Sequence, residues 1–230
     1  MLSRCKTITL PLPFRLGNVN CYLLKANQGH VLIDTGCSNK RKELNEALER
    51  EGCKPGSLRL IIITHGDFDH TGNAAYLRKR YGSMIAMHYK DSGMIERGDM
   101  LCNRKMGNIF LRVLIRIPTS IFFGFGKSER FTPDLYIDDG YELPEYGLDA
   151  SIIHTPGHSR GSISIITAGG DLFCGDLLVN GDKLDQPRLN TIIDDKEAMD
   201  RSVRKLKALR INTVYPGHGK PFSWGRLNHL

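Results

Sequence analysis

The run Leu60-Ile61-Ile62-Ile63 passes directly into Thr64-His65-Gly66-Asp67-Phe68-Asp69-His70-Thr71-Gly72-Asn73. Consecutive leucine and isoleucine read as a buried strand, and this one ends in a loop with two histidines and two aspartates in six residues. A helix is predicted from about Thr71 to Tyr81, closed by Gly82, followed by a short strand from Met84 to His88. Strand, loop, helix, strand is the signature of a crossover, so the chain has to contain an α/β unit with a metal-binding type of loop at one strand end.

The flanking sequence extends this pattern. Lys6 to Leu12, Asn20 to Lys25 and His30 to Asp34 read as a strand meander, and Ser38 to Glu51 as a helix with Leu44, Ala47 and Leu48 on one face. Later, Asp149 to Thr155, Ser162 to Thr167, Leu172 to Leu177 and Asn212 to Tyr215 are strand-like. Asp194 to Arg210 is predicted as a helix, with Met199, Val203, Leu206 and Leu209 facing inward and Asp194 and Glu197 at capping-box spacing. One domain spanning 1–230 is expected, with an insertion at about 99–130 whose core, Met106 to Phe125, is apolar and broken by Pro118 and Gly124. That segment reads as a lid, an oligomer contact or a surface for something greasy; exposed, it would favour a homodimer.

Donors to a metal must converge from distant points in the chain, and loops at strand ends allow this. Four loops qualify here: His65-x-Asp67-x-Asp69-His70, Thr155-Pro156-Gly157-His158, Gly175-Asp176 and Pro216-Gly217-His218-Gly219. Their order and intervals, together with the Asp34-Thr35-Gly36 turn, resemble the metallo-β-lactamase superfamily of hydrolases. The resemblance covers most of the chain and implies a four-layer αβ/βα sandwich of the α/β (α+β) class. It further implies that His65, Asp67 and His158 hold one divalent metal ion, that Asp69, His70 and His218 hold the other, and that Asp176 bridges them. Asp34 is expected to support the loops by hydrogen bonding rather than to ligate. Isolated histidines such as His30, His88, His154 and His229 are read as structural.

The chain departs from the family pattern His-x-His-x-Asp-His at Asp67, where the pattern has its second histidine. A carboxylate oxygen reaches about as far as the nearer ring nitrogen, so the position can still ligate. What changes is charge: three aspartates and one hydroxide cancel two divalent cations, whereas histidine at 67 would leave a single positive charge. Zinc is the expected metal, but oxygen donors favour harder ions, so Asp67 makes iron or manganese alternatives. Such a site generates hydroxide near neutral pH and stabilises charge on a carbonyl or phosphoryl oxygen, with Asp69 as ligand and proton acceptor.

The expected function is hydrolysis of an ester, thioester or lactone in a small-molecule substrate. A carboxylate-tuned iron protein with redox or dioxygenase chemistry is the second reading, and a non-catalytic metal-stabilised binding module the third. Lysine plus arginine exceeds aspartate plus glutamate by 32 − 25 = 7. No basic strip interleaved with aromatics accompanies that excess, so nucleic acid is not the expected partner. The N-terminus shows no secretory core and no run approaches a membrane span, so a cytoplasmic location is expected. The six cysteines form no Cys-x-x-Cys pair and suggest neither a disulfide framework nor a thiolate site.

Overall fold

The computed structural model of the chain describes residues 5–13, 17–102, 104, 129–181 and 185–227. Its first half forms a six-stranded sheet in sequence order: β1 (Cys5–Pro11), β2 (Asn18–Ala26), β3 (Gly29–Ile33), β4 (Leu58–Ile63), β5 (Met84–Met87) and β6 (Leu135–Tyr136). The first three strands are an antiparallel meander, and β3 through β6 run parallel, joined by crossovers. Helices α1 (Arg41–Arg50), α2 (Phe68–Thr71), α3 (Ala74–Tyr81) and α4 (Tyr89–Arg97) lie in those connections.

The second half builds a five-stranded sheet, ordered β13–β12–β9–β8–β7, from β7 (Ala150–His154), β8 (Ile163–Thr167), β9 (Asp171–Gly175), β12 (Thr213–Pro216) and β13 (Phe222–Ser223). β10 (Leu178–Asn180) and β11 (Pro187–Leu189) pair separately, and α5 (Lys196–Lys207) precedes β12.

Alternation along β4 explains the layers. Ile61 and Ile63 point to a cluster with Leu44, Leu48, Leu77 and Tyr81 from α1 and α3. Leu60 and Ile62 point the other way, into a cluster with Ile152, Ile163, Ile165 and Phe173 of the second sheet. A third cluster packs Leu172, Cys174 and Val214 against Met199 and Leu206 of α5. With both faces of each sheet covered, the four-layer αβ/βα sandwich follows, and the uninterrupted apolar strand is its consequence.

Several local details differ from the sequence reading. The helix predicted from Thr71 to Tyr81 is two helices, parted at Gly72 and Asn73. A Cβ on Gly72 would lie 2.4 Å from the Ser38 nitrogen, and Asn73 Nδ2 donates to the carbonyls of Thr35 (2.8 Å) and Cys37 (2.9 Å). The break thus docks α2 on the loop after β3. Helix α4 has no counterpart in the sequence reading, because Gly93 interrupts its pattern and its N-cap acceptor is a histidine, His88, rather than a usual capping residue. α5 ends at Lys207, which leaves Leu209 outside it and 39% exposed instead of facing the core.

The cap of α5 is Asp195, whose side chain accepts from Ala198 N at 3.0 Å; Asp194 does not serve as the N-cap. Asp195→Ala should therefore lower stability by about 1 kcal/mol in denaturant unfolding. Glu197→Ala should cost no more than a few tenths, since the Glu197 side chain is 90% exposed and its contact to Arg201 is a 3.8 Å surface pair. The apolar core of the insertion, Met106 to Phe125, lies outside the described residues. Among those described, no helix is long and apolar enough to cross a membrane, and the six cysteines are free thiols.

Candidate metal centre

Each donor loop leaves the C-terminal end of a strand, and these ends meet at one rim of the sandwich. His65, Asp67, Asp69 and His70 follow β4; His158 follows β7, Asp176 follows β9 and His218 follows β12. The two halves are stitched beside them by Ile163 N donating to Thr64 O (2.9 Å) and Asn20 N donating to Gly217 O (2.8 Å). Asn20 Nδ2 and the Tyr22 hydroxyl both donate to Pro216 O, at 3.1 and 2.6 Å. Gly217 is required by close approach: a Cβ there would lie 2.3 Å from Asp176 Oδ1 and 2.8 Å from His70 Cε1.

Three groups of donor atoms result, each with its atoms within 4.8 Å of one another: His65, Asp67 and His158; Asp69, His70 and His218; His65, His70 and Asp176. Asp176 stands between the first two groups, with Oδ1 3.4 Å from His70 Nε2 and Oδ2 3.3 Å from His218 Nε2 and 3.9 Å from His158 Nε2. All seven residues that the resemblance implicates as ligands therefore lie at one place.

The histidines are oriented alike, by four different acceptors. His70 Nδ1 donates to Asp34 Oδ2 (2.8 Å), His158 Nδ1 to the Ile192 carbonyl (2.7 Å) and His218 Nδ1 to the Asn18 carbonyl (2.7 Å). The Thr64 hydroxyl gives its proton to Asp34 Oδ2 (2.8 Å), so it can only accept from His65 Nδ1 at 3.0 Å. Each ring thus keeps a proton on Nδ1 and turns Nε2 inward, which leaves Nε2 as the atom to bind an ion once any second proton is displaced; His158 Nε2 lies 3.0 Å from Asp67 Oδ2. His65 Nε2, His70 Nε2 and Asp176 Oδ1 are buried without a hydrogen-bond partner. Unpartnered polar atoms are costly in an interior, and three facing one another fit a cation between them.

Asp34 carries much of this arrangement. Its Oδ1 accepts from Thr64 N (2.8 Å) while Oδ2 serves both Thr64 Oγ1 and His70 Nδ1. It holds a left-handed backbone, φ 59°, which aspartate tolerates better than most residues. Burial opposes ionised carboxylates here, but neighbouring charges outweigh it. Asp176 is held well below the usual carboxylate range by His218 and His70. Asp67 is likewise held down, by the Arg104 guanidinium first and then by His158 and His65. Against the same burial, the carboxylates raise His70 and His158, and Asp176 with Asp69 lifts His218 to about 9.

That sign makes proton and cation competitors for Nε2. Below pH about 9 the metal-free centre holds extra protons on histidine, so cation binding should release protons and apparent affinity should fall as pH drops. Calorimetric titrations at pH 7.5 in buffers of different ionisation enthalpy would measure the release. Titrations giving identical heats in all buffers would contradict it.

A further cluster, His88, Asp138 and His154, meets the same distance criterion. Its tautomer is the opposite one: His88 Nδ1 accepts from Lys90 N (3.1 Å), so the ring proton sits on Nε2 and is given to Asp138 Oδ1 (3.1 Å). With no lone pair turned toward the group, His88 is a hydrogen-bonding residue stacked on His154 at 4.2 Å. Two residues that sequence reasoning missed do matter. Asp91 of α4, fully buried, accepts from Gly66 N (3.1 Å), Ser159 Oγ (2.6 Å) and Gly161 N (2.7 Å), tying the His65 and His158 loops together. Arg104 places Nη2 2.5 and 2.7 Å from the two oxygens of Asp67.

Inward-facing histidines and carboxylates on the rim of a two-sheet sandwich define a metal-binding protein of the αβ/βα class. The chain belongs to the metallo-β-lactamase superfamily, which it matches over residues 14–218. It is 30% identical over 217 residues to a probable metallo-hydrolase of Methanocaldococcus jannaschii, spanning 90% of this chain and 93% of that protein. It is 26% identical over 229 residues to the human acyl-coenzyme A thioesterase MBLAC2, spanning 94% and 79% respectively. Among solved structures, TTHA1623 in a di-iron-bound form aligns with a TM-score of 0.71 at 26% identity, covering 96% of each chain.

Proposed function

We propose that the protein is a dinuclear metallohydrolase that cleaves a carboxylic thioester or a related ester or lactone. His65, Asp67 and His158 would hold one divalent ion, Asp69, His70 and His218 the other, with Asp176 shared between them. The observation that carries this reading is the common orientation of the four histidines, each held through Nδ1 and turned Nε2-inward around the unpartnered Asp176 Oδ1. Bound there, the ions would supply Lewis acidity and a water activated near neutral pH.

The chain's own groups account for the rest. Asp69, with Oδ2 3.5 Å from His218 Nε2 and 3.8 Å from His70 Nε2, would take up the proton lost as water attacks the acyl carbon. Ile192 adjoins the centre, its carbonyl bound to His158 and its residue surface 63% exposed, so an exposed apolar residue is available beside the site to meet an acyl chain. The similarity to an acyl-coenzyme A thioesterase supports the thioester as the first substrate class to test.

Protein reconstituted separately with zinc, iron and manganese should be assayed on acyl thioester, aryl ester, lactone and phosphodiester panels. Turnover of an acyl substrate that disappears with chelator and returns with metal is expected. No hydrolysis in any metal form would remove the proposal. Iron-dependent redox chemistry is the second reading, favoured by the carboxylate at Asp67 and by the di-iron form of TTHA1623. Stoichiometric zinc with negligible iron in protein purified without added metal would count against it.

A further inference from the structure

Arg104 stands against one half of the centre only. Its Nη2 lies 2.5 Å from Asp67 Oδ1, 2.7 Å from Asp67 Oδ2 and 3.5 Å from His158 Nε2, and Nη1 donates to the His158 carbonyl at 3.3 Å. The contact is shielded, with the Arg104 and Asp67 side chains 9% and 12% exposed. Two of the three donor residues of the His65, Asp67 and His158 group are therefore engaged by a permanent cation. Among the described residues, no arginine or lysine contacts the Asp69, His70 and His218 group.

We infer that Arg104 is an internal competitor for the metal at Asp67, so that this position binds its ion more weakly than the Asp69, His70 and His218 position and fills second. The inference rests on the dinuclear reading above. Its physical basis is that an ion reaching Asp67 must displace the guanidinium or sit beside it, and repulsion between like charges at such range in a partly desolvated site is large. The pairing also bears on the substitution at 67. Aspartate there adds one negative charge relative to a neutral histidine, and Arg104 offsets it, in a form able to leave.

Chelator-stripped wild type, R104Q and R104K should be titrated with zinc against a chromophoric competitor, with melting of the metal-free proteins followed in parallel. Wild type is expected to bind two equivalents of unequal affinity. R104Q should tighten the weaker equivalent about ten-fold or more while leaving the stronger unchanged, and should lower the melting temperature of the metal-free protein by several degrees. R104K, which keeps the charge, should bind within about three-fold of wild type. Weaker or unchanged binding in a folded R104Q overturns the inference, as does equal tightening in R104K. If R104Q fails to fold, R104M, which is neutral and keeps the length of the side chain, takes its place: the same tightening of the weaker equivalent is expected, and weaker or unchanged binding overturns the inference. Absence of zinc binding in wild type itself would sink the dinuclear reading and this inference with it.

Discussion

Asp176→Ala is expected to cut hydrolysis by on the order of a thousand-fold or more and to reduce bound metal from two ions toward one. Among the described residues, Asp176 is the carboxylate between the two donor groups: its two oxygens lie 3.3 to 3.9 Å from the Nε2 atoms of His70, His158 and His218. On the dinuclear proposal, losing it would remove the shared ligand and the negative charge that would hold two cations close together. Asn190 Nδ2, which donates to Asp176 Oδ2 at 3.3 Å, would lose its acceptor as well. Asp176→Asn keeps the shape and one acceptor oxygen, so it should fall between wild type and alanine. The measurements are kcat/KM on the best acyl substrate and metal-to-protein ratio after gel filtration. An alanine variant with near-normal turnover and two bound ions would refute the bridging role.

The second large effect is expected at Asp34, on stability and metal affinity together. Asp34→Ala strands Thr64 N, Thr64 Oγ1 and His70 Nδ1, three groups with acceptors 2.8 Å away in the native protein. It also puts alanine at φ 59°. Each unsatisfied buried donor costs about 1–3 kcal/mol, not additively, so a loss of roughly 3–5 kcal/mol in denaturant unfolding is expected. Asp34→Asn separates the two consequences. Asparagine tolerates the backbone, but its amide NH2 would face His70 Nδ1 and Thr64 Oγ1. His70 would then have to accept on Nδ1 and carry its proton on Nε2, losing the inward lone pair. A folded protein with metal affinity reduced about 10–100-fold is expected. Wild-type affinity in Asp34→Asn would show that the ring orientation does not depend on this carboxylate.

How far the sequence speaks for the structure depends on what kind of atom does the work. The seven donors are legible because side chains of distinctive chemistry follow strand-like runs, and strand ends of an α/β sandwich gather at one rim. The β4 run is legible for the same reason, as alternate isoleucines serve two different cores. The supports of the histidines are not. Two of the four acceptors are backbone carbonyls, Asn18 O and Ile192 O, a group that every residue carries. Asp91 escapes notice because nothing beside it signals a site: it sits on a helix interrupted by glycine, and its partners come from loops about 25 and 70 positions away. Arg104 lies at the start of a basic and apolar insertion, where one arginine among several has no mark of its own. The Asp195 cap shows a smaller limit, since adjacent aspartates offer the same signal and only backbone geometry selects between them.

The division of donors between the two sheets carries a mechanical consequence. His65, Asp67, Asp69 and His70 come from the first half of the chain and His158, Asp176 and His218 from the second, so each donor group takes residues from both. An ion held at either proposed position would be a rivet through the seam where the halves meet, and pulling the sheets apart would require breaking its bonds. Free ion at a hundred times its dissociation constant would raise the unfolding free energy by about 2.7 kcal/mol per site. The rim proposed to perform the chemistry would then also be the clasp of the molecule, and stripping the metal should make the two halves separable under loads that the loaded protein resists.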